Sequence, residues 1–248
     1  MRRFAVVTAL LLLSAVCLIP AMGEAPQKVA EIATADDLIA EINAKIELLG
    51  EQHANAEAFA RVAETKDVNQ AAGVVAVMAQ AIVEHPDAAK AKFKPADVRD
   101  AALALRATKT FDDSAKALAT LKDAVAGKSD GAAKADHPWN KLTGQGRMMK
   151  EIEVRSGLIR RALRRLAKPD ETARDCSVLA VLALAMEADT HEVKDQALLP
   201  LWKELSVAYR TEMVNMSKAV RAKDTAKANE HFSAANQTCI KCHEKIRD

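Results

Sequence analysis

The chain closes on DTAKANEHFSAANQTCIKCHEKIRD, residues 224–248, and this stretch decides how the rest is read. Ala228, Phe232, Ala235, Cys239, Cys242 and Ile246 recur in it at three- and four-residue steps, which makes one apolar seam along an α-helix. Within the seam stands Cys239-Ile240-Lys241-Cys242-His243, the attachment pattern of a c-type haem. In that chemistry two thiols add across the haem vinyl groups and the histidine supplies an axial nitrogen to the iron. Residues three and four apart share a helix face, so Cys239, Cys242 and His243 can address one porphyrin, placed where a bundle core belongs.

Other uses of the same residues fit less well. A thioredoxin-like pair needs a βαβ setting, and no strand alternation surrounds this one. A zinc site needs four ligands, and after export only Cys176 remains to join the pair. A Cys239–Cys242 disulfide leaves His243 without a reason.

The start of the chain agrees with a haem protein made outside the cytoplasm. Arg2-Arg3 precede an apolar run from Phe4 to Ile19, and Ala21-Met22-Gly23 offers small residues for cleavage before Glu24. Residues 1–23 are therefore read as a signal peptide, too short and wrongly flanked for a membrane span. A lipoprotein site at Cys17 is disfavoured by Val16. The expected address is the periplasm, where bacteria attach haem to reduced thiols, and no membrane span is expected in the mature chain.

Composition narrows the class. Taking Arg2 and Arg3 from the 36 basic residues leaves 34, against 34 acidic ones, a balance that argues against nucleic-acid binding. Two Trp, one Tyr and five Phe in a chain rich in Ala, Leu, Lys and Glu, with Gly and Pro mostly at joints, indicate an all-α protein.

Helices are expected over about 36–64, 67–84, from Pro95, over 111–125, 142–168, 171–188, 196–222 and from Asp224-Thr225 onward. Short connections favour antiparallel neighbours. Gly127-Lys128-Ser129-Asp130-Gly131 and the polar residues up to Pro138 break the pattern, so the expected organisation is two four-helix-bundle-like halves in tandem. Residues 24–130 form a haem-free helical domain, 131–138 a linker, and 139–248 an up-down bundle carrying haem. A shift of 104 residues places Phe59, Arg61 and Ala63 on Leu163, Arg165 and Ala167, and Val74, Ala76 and Val77 on Val178, Ala180 and Val181. The first half is thereby a degenerate repeat, with Leu121-Lys122-Asp123-Ala124-Val125 near where the attachment pattern would fall. Gly73 to Val83 and Val178 to Met186 are apolar on nearly all sides. They are read as buried core, with pairing of the halves or a homodimer contact as the alternative.

The sixth iron position decides the chemistry. Its candidates are Met148 and Met149. Met149 heads a seam with Ile152, Ser156, Ile159, Leu163 and Leu166, whereas Met148 lies a quarter-turn toward the flank. His231 is too far along its helix from His243 to serve, His191 sits in a connection, and His53, His85 and His137 read as surface or cap residues. Cys176 reads as a small buried hydrophobe. Arg155, Arg160, Arg161, Arg164 and Arg165 read as a solvated basic face, with docking of an acidic redox partner protein as the functional alternative.

The ending Cys239-x-x-Cys242-His243-Glu244-x-x-Arg247-Asp248 resembles class II c-type cytochromes, the cytochrome c-prime family. The resemblance covers roughly Trp139 to Asp248 and includes the region of Trp202. It implies a four-helix bundle with one covalent haem c near the C-terminus. It also implies a sixth-ligand methionine in the first helix of the bundle, matched by Met149-Lys150, and Arg247 near a haem propionate. Residues 24–138, Ile246 in place of an aromatic, and the doubled methionine depart from the pattern. The implied function is electron carriage through a His/Met-ligated haem rather than enzyme catalysis, with periplasmic redox proteins as partners. A five-coordinate haem binding nitric oxide or carbon monoxide is the alternative, and a helical binding module the reading without haem.

Overall fold

Thr34 and Thr110 begin two helices in the way their sequences prescribe. Each hydroxyl accepts from the backbone N–H three residues on, Asp37 and Asp113, at 3.1 and 3.2 Å. The computed structural model describes residues 28–129, 131, 133 and 137–246. The expected signal peptide, half of the expected linker (132 and 134–136), and Arg247 lie outside them. All regular structure among the described residues is helical. The helices are α1 Val29–Ile32, α2 Ala35–Gln52, α3 Ala56–Ala63, α4 Asp67–Val83 and α5 Pro95–Ala107. They continue with α6 Phe111–Val125, α7 Gln145–Ala162, α8 Pro169–Ala188, α9 Leu199–Arg221 and α10 Thr225–Ile246. None is long and apolar enough to cross a membrane.

Three boundaries differ from the sequence expectation. The first long helix stops at Gln52, and Asn55 caps a new one by accepting from Ala58 N–H at 2.8 Å. His53 fixes the break, its ring nitrogens lying 2.7 Å from the Leu49 carbonyl and 2.7 Å from the Ser114 hydroxyl. α7 starts at Gln145 and ends at Ala162, short of Lys168, because the chain turns at Leu166, which takes a left-handed φ of 44°. Pro169, expected to end that helix, instead opens α8 at its first turn, where its missing N–H costs nothing.

Consecutive helices with short connections pack on each other: α4 on α5, α5 on α6, α8 on α9 and α9 on α10. Two helices end in six-to-one caps. After α6, Lys128 N–H donates to the Asp123 carbonyl at 2.9 Å with Gly127 at φ 76°. After α9, Asp224 N–H donates to Ala219 at 2.9 Å with Lys223 at φ 56°.

The two apolar segments are buried except at exposed Val83 and half-buried Leu184, and they meet. α4 packs against α7 and α8, and α2 packs against α8. Gly73 permits a close approach here, since a Cβ on it would lie 2.6 Å from the Thr143 hydroxyl just ahead of α7. Polar links reinforce the same side. Asp37 of α2 accepts from Ser177 of α8 at 3.1 Å and from Arg221 of α9 at 2.5 Å.

Candidate functional site

α7 and α10 are not zipped together. α7 rests mainly on α8 and α4, α10 on α9, and an open cleft lies between them. α10 contributes Thr238, Cys239, Cys242 and His243 to it, and α7 contributes Met149 and Ile152. Met186 of α8 and Leu205, Ser206 and Tyr209 of α9 make the floor. At about 100° per residue, Cys239, Cys242 and His243 fall within about 100° of one helix face, so one surface of α10 carries all three.

Both thiols are free and half-buried, while the His243 imidazole is exposed. Burial pushes the Cys239 and Cys242 thiols above their ordinary range, so both stay protonated and poorly reactive at neutral pH. Among the described residues no group of three or more His, Cys, Asp or Glu side chains is placed to hold a metal ion. The local donor set is two thiols, one imidazole and, across the cleft, one thioether.

The paired methionines separate by burial. Met148, expected at the flank, is 2 % exposed and lies in the core, and Met149 turns to the cleft with Ile152 of the expected seam. Helical spacing alone left both open, because they stand about 100° apart and α7 has apolar neighbours on two sides.

Tyr209, the chain's only tyrosine, was not legible as a site residue. It is 3 % exposed, and its hydroxyl faces Ser156 without a hydrogen bond of ordinary geometry. Burial pushes this phenol far above its usual range, so it is a neutral donor. A buried hydroxyl without a partner costs about 1–3 kcal/mol. Beside an apolar floor, it suits a flat apolar ligand with a polar edge, as haem is. Trp202 fixes the floor by donating from its indole to the Met186 carbonyl at 3.0 Å.

The remaining histidines stand elsewhere. His85 is not a surface residue: it is 6 % exposed, with Nε2 3.2 Å from the Ala33 carbonyl and Nδ1 accepting from Asp87 N–H at 3.0 Å. His137 lies 3.1 Å from Asp100, and His231 lies 2.8 Å from Glu212. His191 pairs with Asp189, whose hydrogen bond raises its pKa. Cys176 is fully buried, as expected, and burial pushes its thiol far up.

Arg155 corrects the expected solvated basic face. It is 6 % exposed, whereas Arg160, Arg161, Arg164 and Arg165 are exposed. Its guanidinium donates to Glu41, to Glu151 at 2.6 Å and to Asp175 at 2.5 Å. Glu151 also accepts from Lys45 at 2.8 Å and Gln70 at 2.7 Å. Burial pushes the Glu151 carboxyl up, but the charges of Arg155 and Lys45 and the bonds from Lys45 and Gln70 outweigh it and hold it at about 2. Asp175 goes the other way, because burial raises it more than Arg155 lowers it.

No protein-family model, curated protein or solved structure matches the chain.

Proposed function

We propose that the chain is an exported periplasmic monohaem c-type cytochrome, cytochrome c-prime-like over residues 139–248, which carries single electrons between protein partners and is not an enzyme. Cys239 and Cys242 would hold the haem, His243 and Met149 would take the axial positions, and Arg247 would lie near a propionate. When bound, the haem supplies a one-electron iron couple whose potential follows from axial ligation and burial. The observation that carries the proposal is the cleft itself, which gathers Met149 from α7 with Cys239, Cys242 and His243 from α10. Ile152, Met186, Leu205 and the Tyr209 ring give it an apolar floor.

On this proposal two four-helix units stand in tandem, α2 with α4–α6 and α7–α10, and α4 and α8 pair the units. The shift of 104 residues that aligns Val74 with Val178 also carries α4 onto α8 and the first residue of α5, Pro95, onto the first of α9, Leu199. The first unit is haem-free. Its matching gap, between α2 and α6, is closed by the His53–Ser114 contact and by Lys122, whose amine would lie 3.4 Å from a Cβ on Gly50.

The test is an absorption spectrum of protein made with haem-attachment machinery, oxidised and reduced, with and without carbon monoxide. Low-spin spectra indifferent to the gas, made gas-sensitive by Met149→Ala, are expected. A high-spin spectrum that shifts with the gas would favour the gas-binding alternative, and absence of covalent haem would refute both.

A further inference from the structure

The helix that carries Met149 is held by the other end of the chain. The hydrogen bonds that leave α7 run to Glu41 and Lys45 of α2, to Gln70 of α4, and from Arg147 to the Thr65 carbonyl at 2.6 Å. Asp175 of α8 is its partner from the C-terminal helices. Thr143, just ahead of α7, is wedged against Gly73 of α4. On the far side of α7 the main feature is the cleft, so little protein there resists a rotation of the helix about its own axis.

Gripped and presented residues stand on different sides of α7. Glu151 and Arg155 lie about 200° and 240° round the helix from Met149, at about 100° per residue. α2 and α7 are otherwise separated by an open groove with exposed Leu48, Val154 and Leu158 on its walls. Only the charged floor of the groove joins them. A floor built from a bidentate-capable guanidinium and three carboxylates is directional, and fixes roll as well as distance. Packed alanine and valine alone, as between α4 and α8, do this less sharply.

We infer that α2 and α4 form a clamp that sets the roll of α7 and so holds Met149 over the attachment site, with Glu41, Lys45 and Gln70 as positioning residues. This rests on the proposed haem ligation and assigns a task to the haem-free N-terminal helices. A ligand left loose by about 1 Å is the usual result of an unsupported outer shell, and these three side chains are that support.

The test uses the full chain carrying haem. Glu41→Gln with Lys45→Met weakens the grip while Arg155 keeps Glu151 and Asp175. Gln70→Leu and Arg147→Ala are milder variants in case the double variant does not fold, and Arg160→Ala, exposed and outside the network, is the control. Each clamp variant, reduced, is expected to bind carbon monoxide at least tenfold more tightly than wild type, approaching Met149→Ala, at unchanged helix content. In the haem-free chain, amide exchange across 148–159 is expected to quicken in the same variants. Folded clamp variants as inert to carbon monoxide as wild type would overturn the clamp alone. A wild type that takes no covalent haem, or binds the gas as avidly as Met149→Ala, would overturn the ligation itself and the clamp with it.

Discussion

Replacing Arg155 with Met tests the most consequential charge in the molecule. The side chain is 7 % exposed and touches Glu41 and Glu151, each 3 % exposed. With the guanidinium gone, Glu151 keeps Lys45 at 2.8 Å, and Glu41 keeps Arg174 at 3.9 Å. Removing one partner of a buried ion pair costs about 3–5 kcal/mol, because the partner left behind stays charged and poorly solvated. The Glu151 carboxyl points to a similar figure. Glu151 sits at about 2 rather than 4.5, a depression equivalent to about 3 kcal/mol of stabilisation from the network as a whole. That contribution is present in full above the unfolded value of 4.5 and is lost as pH falls toward about 2. Asp175, whose pKa is raised by burial, works against it at neutral pH. Urea unfolding of the haem-free chain, followed by circular dichroism at pH 7 and near pH 4, is the assay. Arg155→Met is expected to lose about 3–5 kcal/mol at pH 7, and the gap to wild type narrows in acid as the abandoned carboxylates protonate. A loss under about 1 kcal/mol, the size of a surface pair, or a gap that ignores pH would refute the buried network.

Met148→Ala is expected to cost about 2–5 kcal/mol while leaving any haem spectrum unchanged, and Met149→Ala to do the reverse; spectra and melts on both variants check the pair. Gly73→Ala drives a Cβ to 2.6 Å from the Thr143 hydroxyl, so a loss of about 1–3 kcal/mol is expected. Thr143→Gly in the same chain should restore part of it, as a double-mutant cycle would report. Lys223→Gly relieves a left-handed residue at the α9–α10 turn and should add about 1 kcal/mol of stability to the urea midpoint. Tyr209→Phe should leave the haem-free chain unchanged or slightly more stable in urea unfolding, because the buried hydroxyl makes no hydrogen bond of ordinary geometry.

Local punctuation made much of the fold legible. Pro95, Phe111 behind Thr110, and Asp224-Thr225 mark helix starts that the structure keeps, since prolines and caps act through the residues beside them. The missed break at Gln52 depends on His53 meeting Ser114, 61 residues away, and the early end of α7 on a leucine in a conformation that sequence does not flag. Arg155 looked like its exposed neighbours because its partner Glu41 lies 114 residues away. At the cleft, the Cys239-x-x-Cys242-His243 spacing was plain in the sequence, and the helix places all three on one side. The choice between Met148 and Met149 did not, because it depends on where α4 and α8 press. Tyr209 carried no signal beyond being the only one of its kind.

The last helix leans on α9, and its other flank is left largely bare, with Cys239 and Cys242 half-buried and His243 in solvent. The turn that joins it to α9 holds a strained Lys223 rather than a glycine. On the proposed function, haem attachment to the two thiols therefore does not require a nascent or unfolded chain. On that reading the rest of the protein can be finished first, and the haem fitted last through an open side.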